Sequence, residues 1–145
     1  MDAPSRRAHT HTVRVFYGDT DQMGVAYYAN YLRWFEMARN EYLRAAGCTY
    51  HRLESEGVIL PVVEASCRYF SPARYDDLLE LVAWIGEVGR VRVRFEYRVI
   101  RQGDAEPLAA GHTVHACLAP DSAPRRLPSS LLAAFERWEA GLPPA

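Results

Sequence analysis

The sequence predicts an α+β fold in which one long helix and a sheet of about five mainly antiparallel strands bury each other's apolar faces. Three observations carry this: apolar residues at helical spacing over residues 28–46, period-two alternation through much of residues 59–118, and turn signals between the alternating runs. A chain of 145 residues is long enough for one domain with a core and too short for two ordinary ones. Residues 1–145 are therefore read as a single domain.

Residues 1–10 are polar, with Pro4, Ser5 and an Arg pair, and are predicted to form a loose end. Val13, Val15 and Tyr17 alternate with Arg14, Phe16 and Gly18, which predicts a first strand. Over residues 28–46, Tyr31, Leu32, Phe35, Ala38, Tyr42 and Ala46 form a wide apolar stripe, and Arg33, Glu36, Asn40 and Arg44 lie mainly on another face. Gly47 is a natural stop for this helix. A short helical turn over residues 50–56 ends at Gly57.

Strands follow. In residues 59–70, Val63, Ala65, Cys67 and Tyr69 share one face and Glu64, Ser66 and Arg68 the other. A Ser-Pro-Ala break leads into residues 78–88, where Leu79, Leu81, Ala83 and Ile85 alternate with Glu80, Val82 and Trp84. Gly89 marks a tight turn into the clearest alternation: Val91, Val93, Phe95, Tyr97 and Val99 against Arg90, Arg92, Arg94, Glu96 and Arg98. Gln102, Gly103 and Asp104 close that hairpin, residues 108–118 supply the last strand, and residues 128–141 predict a terminal helix that packs back through Leu131, Leu132, Phe135 and Trp138.

Composition excludes several functions. A net charge of −1 gives no general attraction for nucleic acid or an anionic membrane. All 17 basic residues are Arg, and without Lys there is no Walker-A loop, Schiff-base lysine or Ser-Lys dyad. Cys48, Cys67 and Cys117 are odd in number and widely spaced, which argues against a disulfide framework or zinc knuckle and for buried thiols. No apolar run is long enough to cross a bilayer and no signal-peptide core precedes Thr12, so a cytoplasmic location is the expectation. A GxSxG nucleophile elbow is absent.

Residues 17–31 concentrate the chemistry. Asp19, Asp21 and Gly24 stand just before the long helix, where a carboxylate can act as base or nucleophile and unpaired N–H groups of the first turn can bind an oxyanion. The same carboxylates also read as loop residues that satisfy nearby N–H groups. A calcium loop is a poor alternative, since Met23 offers no oxygen at the fifth position and Asn30 replaces the twelfth-position Glu; no metal is expected. Asn30 reads equally as a helix cap or a pocket residue. Glu36 and Arg39, three apart, read as an ion pair or as partners of a neighbouring strand. His112 and His115 fall on opposite faces of a strand. Arg90, Arg92 and Arg94 read as a solvated strand face, or else Arg90 or Arg92, with Arg74, contacts phosphates.

The run Tyr17, Asp19, Asp21, Gly24, Val25, Tyr27, Asn30, Tyr31, continued by Glu36 and Arg39, resembles the signature of hotdog-fold acyl-CoA thioesterases of the 4-hydroxybenzoyl-CoA thioesterase-like group, which includes the Tol-Pal-associated thioesterase. The resemblance spans residues 12–118. It implies a five-stranded antiparallel sheet wrapped around the helix, with subunits paired side by side and dimers joined into tetramers. It implies that Asp21 is the catalytic carboxylate, as nucleophile or general base, and that the Tyr28 N–H polarises the thioester carbonyl. Gly24, Val25, Tyr27, Asn30 and Tyr31 would contact substrate, and Arg74, Arg90 or Arg92 the coenzyme A phosphates. Many members carry His where this chain has Tyr28, so the backbone N–H transfers and an imidazole role does not. The activity implied is hydrolysis of an acyl-CoA to a free acid and CoA, without metal or redox cofactor. The alternatives are another reaction of an acyl thioester, hydration or dehydration, and a hotdog protein that binds acyl-CoA without turnover.

Overall fold

The computed structural model describes residues 1–145. Its strands are β1 (His9–Arg14), β2 (Val62–Tyr69), β3 (Leu78–Val88), β4 (Arg92–Arg101) and β5 (Ala109–Ala116). They form one antiparallel sheet in the order β1-β3-β4-β5-β2, so β1 and β2 are its edges. Helices α1 (Asn30–Ala46), α2 (Tyr50–Ser55) and α3 (Ser129–Glu139) complete the fold.

Alternation determines which sheet face is inner. Val93, Phe95, Tyr97 and Val99 of β4 are buried together with Leu79, Leu81, Ala83 and Ile85 of β3, and α1 lies across them. Phe35 of α1 stacks on Tyr97 with ring centroids 4.5 Å apart and planes 7° from parallel. That approach depends on Gly111 in β5, where an added Cβ would stand 2.7 Å from the Phe35 ring and collide with the Ser66 carbonyl. Gly47 adopts φ +86° and ends α1, its N–H and that of Cys48 returning to the carbonyls of Arg44 and Leu43.

Two expectations need correction. The first strand begins at His9 and ends at Arg14, although Val15 is fully buried and still exchanges hydrogen bonds with Asp76 and Asp77. Residues 17–19 instead turn in a short 3-10 helix because the Asp19 carboxylate accepts the Phe16 N–H at 2.8 Å, and Tyr17 is left exposed. The N-terminal segment is also tied down: the Arg7 guanidinium lies 3.8 Å from the centre of the Trp138 ring, and Trp138 Nε1 donates to the Arg7 carbonyl. Arg39 takes a partner on a neighbouring strand, as one of its two readings has it, and does not pair with Glu36. It is buried and donates to the hydroxyls of Tyr50 and Tyr97, at 2.7 and 2.9 Å.

His112 and His115 point to opposite faces of β5. His112 meets Glu64 at 2.7 Å on the outer face, and His115 is fully buried. No helix is long and apolar enough to cross a membrane.

Candidate active site

The loop before α1 is built around Asp19. Its carboxylate accepts from the Phe16 N–H and from Arg33 at 2.7 Å, and its carbonyl accepts the Tyr27 N–H and the Asn30 side-chain amide, both at 2.8 Å. Asp19 is 7% exposed. Four donors on one residue make it the structural member of the pair. Asn30, the first residue of α1, therefore neither caps the helix nor enters the cleft; its amide is spent on the loop.

Asp21 opens the next turn. Its N–H donates to Val25 and its carbonyl accepts from Gly24, whose φ of +78° is natural only for glycine. The Asp21 Oδ1 accepts the Met23 N–H at 2.8 Å, an Asx turn that orients the side chain and leaves Oδ2 without a protein partner. Ala26 then donates to the Ala73 carbonyl, which joins this loop to the one between β2 and β3.

A cleft of about 280 Å³ results, lined by Asp21, Met23, Val25, Ala26, Tyr28 and Tyr31 on one side and by Tyr69, Phe70, Ser71 and Pro72 on the other. Asp21 is its only carboxylate. Burial pushes the Tyr31 and Tyr69 phenols and the nearby Cys67 thiol up from their ordinary values, so these groups stay protonated at neutral pH. Ser71 borders the cleft, but no His lines it, and Asp21 is the one side chain there that can act as a base. Immediately before α1, the N–H groups of Tyr28 and Ala29 have no acceptor within the protein, whereas those of Asn30, Tyr31 and Leu32 close the first turn. A carboxylate with one oxygen free and the residue whose N–H lacks an acceptor, Asp21 and Tyr28, thus border one apolar cleft.

Of the residues expected at the site, Asp21, Val25, Tyr28 and Tyr31 converge there, and Gly24 shapes the turn. Tyr27 packs its ring at a tilt against Tyr28, centroids 4.8 Å apart, rather than lining the cleft. Arg74 follows Ala73 in the adjoining loop. Arg90 and Arg92 do not join it within one subunit. Arg92 pairs with Ala116 at one end of β5 and Tyr69 with Ala109 at the other, about 23 Å away along the strand. They border instead an outer depression with Glu64 and Glu87. Tyr69, Phe70 and Pro72 were not among the expected site residues, because only the pairing of β2 with β5 brings the end of that strand to the α1 N-terminus.

A model described as the thioesterase superfamily matches residues 23–108. The acyl-CoA thioester hydrolase YbgC of Escherichia coli O6:H1 is 34% identical over 126 residues, covering 86% of this chain and 93% of that protein. The 1,4-dihydroxy-2-naphthoyl-CoA hydrolase of Synechococcus elongatus is 35% identical over 104 residues, 70% of this chain and 75% of its own. Among solved structures, the DHNA-CoA thioesterase of Staphylococcus aureus superposes with a TM-score of 0.84 at 28% identity, covering 92% of this chain and 91% of that one.

Proposed function

This chain belongs to the thioesterase superfamily and is an acyl-CoA thioester hydrolase; from that premise we propose that Asp21 and the N–H groups preceding α1 carry out the hydrolysis. The acyl carbonyl enters the cleft with its oxygen toward the Tyr28 N–H. The Asp21 carboxylate then either attacks the carbonyl carbon, expelling CoA thiolate and leaving an anhydride for water to open, or removes a proton from the water that attacks. Both routes end in free acid and CoA, and neither draws on a metal or redox cofactor. The observation that carries this reading is the meeting of the cleft's sole carboxylate with N–H donors that have no protein acceptor.

Val25, Tyr31, Tyr69, Phe70 and Pro72 favour an aryl or short acyl group. Arg74 is the phosphate contact within the subunit, and Arg90 or Arg92 could serve only from a neighbouring copy. The enzyme is assigned to the cytoplasm as a dimer of dimers. Support for association comes from β2, an edge strand with an unpaired backbone side and exposed Val62 and Val63, next to exposed Phe70.

Free-thiol release from short, long and aromatic acyl-CoAs tests the reading. Wild type is expected to turn over one class, and Asp21→Asn to lower kcat by about 100-fold or more with modest change in KM. Near-normal turnover by the variant would remove Asp21 from the mechanism. Binding of an acyl-CoA without thiol release by wild type would favour a binding protein.

A further inference from the structure

The geometry points to Tyr69 as a positioning residue for the carbonyl-polarising donor, an inference that rests on the proposed thioesterase site. Tyr69 closes β2, far in sequence from the motif, yet its hydroxyl donates to the Tyr28 carbonyl at 2.9 Å. That carbonyl has only one other donor, the Tyr31 N–H at 3.3 Å, so the first turn of α1 holds it weakly. Tyr28 is 61% exposed and its own N–H is bonded to nothing in the protein. The peptide that carries this N–H is anchored on the Tyr27 side, where the Tyr27 carbonyl accepts the Asn30 N–H at 2.9 Å, so φ and ψ of Tyr28 stay fixed only if the next peptide, which carries the Tyr28 carbonyl, is held as well. Tyr69 holds that peptide.

The surroundings hold the clamp in place. The Tyr69 ring packs edge-on against Tyr31 at 5.0 Å and against Tyr28 at 6.4 Å, and the Tyr31 hydroxyl accepts the Ala73 N–H at 3.1 Å. Since Ala73 also receives the Ala26 N–H, Tyr31 and Tyr69 are braced by the same loop that supports the Asp21 turn. The carboxylate and the donor therefore share one frame, and the phenol hydroxyl of Tyr69 is the link between that frame and the donor residue. Such a link acts on the transition state, where negative charge gathers on the carbonyl oxygen, more than on ground-state binding.

Tyr69→Phe keeps the ring contacts and removes only the donor. We expect kcat to fall about 10-fold with KM within about twofold, less than the roughly 100-fold that loss of an oxyanion donor itself costs. A second readout uses Asp21→Asn to hold the best acyl-CoA of the panel, labelled with ¹³C at its carbonyl, unhydrolysed in the cleft. Adding Tyr69→Phe should move the bound carbonyl stretch to higher frequency as polarisation is lost. A merely structural role would leave that frequency unmoved. An unchanged kcat, a loss that falls wholly in KM, or an unshifted carbonyl band overturns the assignment while wild type remains active. A wild type that releases no thiol overturns the proposed function and this assignment with it.

Discussion

Asp19 and Asp21 are two residues apart, chemically identical and held in opposite ways. Asp19 is spent: its carboxylate meets Phe16 and Arg33, and its carbonyl meets Tyr27 and Asn30. Asp21 is held by one oxygen and free at the other. Asp19→Ala is therefore expected to leave the part-buried Phe16 N–H without its acceptor, release Arg33 and loosen the loop, destabilising the fold by about 1 to 3 kcal/mol and lowering activity with it. Asp21→Asn keeps the Met23 bond and should melt within a degree or two of wild type while losing turnover. Thermal melts set beside kcat for the two variants separate the roles, and a melting point unchanged in Asp19→Ala would contradict the structural one. The residues alone left both readings open for both carboxylates, because an i, i+2 spacing in a loop does not say which side chain turns inward. The family resemblance chose Asp21. Nothing local could have shown that the Asn30 amide would be taken by Asp19, since their contact spans eleven positions of irregular chain.

The elements written in strict alternation were legible. Residues 78–88 were expected as a strand, and β3 occupies the same span. β1 was missed at its start, because a His-Thr-His-Thr run is polar and its strand character comes from the register against β3, a tertiary effect that outweighs local preference. On α1, spacing alone leaves Arg39 open between Glu36 and a neighbouring strand, and the fold decides for the strand, since the phenols of Tyr50 and Tyr97 that receive it come from α2 and β4. The seating of α1 on the sheet depends on a residue whose importance alternation cannot reveal. Gly111→Ala would drive a methyl group into the buried Phe35 ring and the Ser66 backbone carbonyl, so that the ring or strand β2 must shift. The expected loss is about 3 kcal/mol, read as a lower urea midpoint. Gly18→Ala is the control, because an added Cβ there meets nothing within 4 Å. Equal midpoints for the two variants would mean that α1 does not rest on β5 as closely as described.

At the scale of the whole molecule, one polar chain ties together five separate parts of the sequence. Tyr50 from α2 accepts from Arg39 on α1, Arg39 donates to Tyr97 on β4, Tyr97 meets Thr113 on β5 at 2.6 Å, and Thr113 meets His115 Nε2 at 2.8 Å. His115 Nδ1 ends the chain on the Leu60 carbonyl, at 2.9 Å, just before β2. The carbonyl can only accept, so Nδ1 carries the proton and the neutral ring accepts at Nε2. Thr113 must then donate to the ring and Tyr97 to Thr113, and every donor from Arg39 onward points the same way. Protonating His115 would place a second hydrogen where Thr113 already points one, in a buried region that already contains the Arg39 charge. Burial pushes the His115 pKa down to about 4, reinforced by Arg39 and partly opposed by the bond to Leu60. An unfolded histidine takes its proton near pH 6.5. Above that value neither state is protonated and His115 adds no pH dependence. Between roughly 6.5 and 4 the unfolded chain binds a proton that the folded one refuses, so stability falls as pH falls; below about 4 the loss levels off at on the order of 3 kcal/mol. Urea unfolding of wild type and His115→Gln from pH 7.5 to 4 isolates this contribution from that of the carboxylates, which titrate in both proteins. The wild-type midpoint should decline more steeply between pH 6.5 and 4, and parallel curves would show that the buried ring tolerates its proton and that the one-way chain of donors is not what the fold depends on.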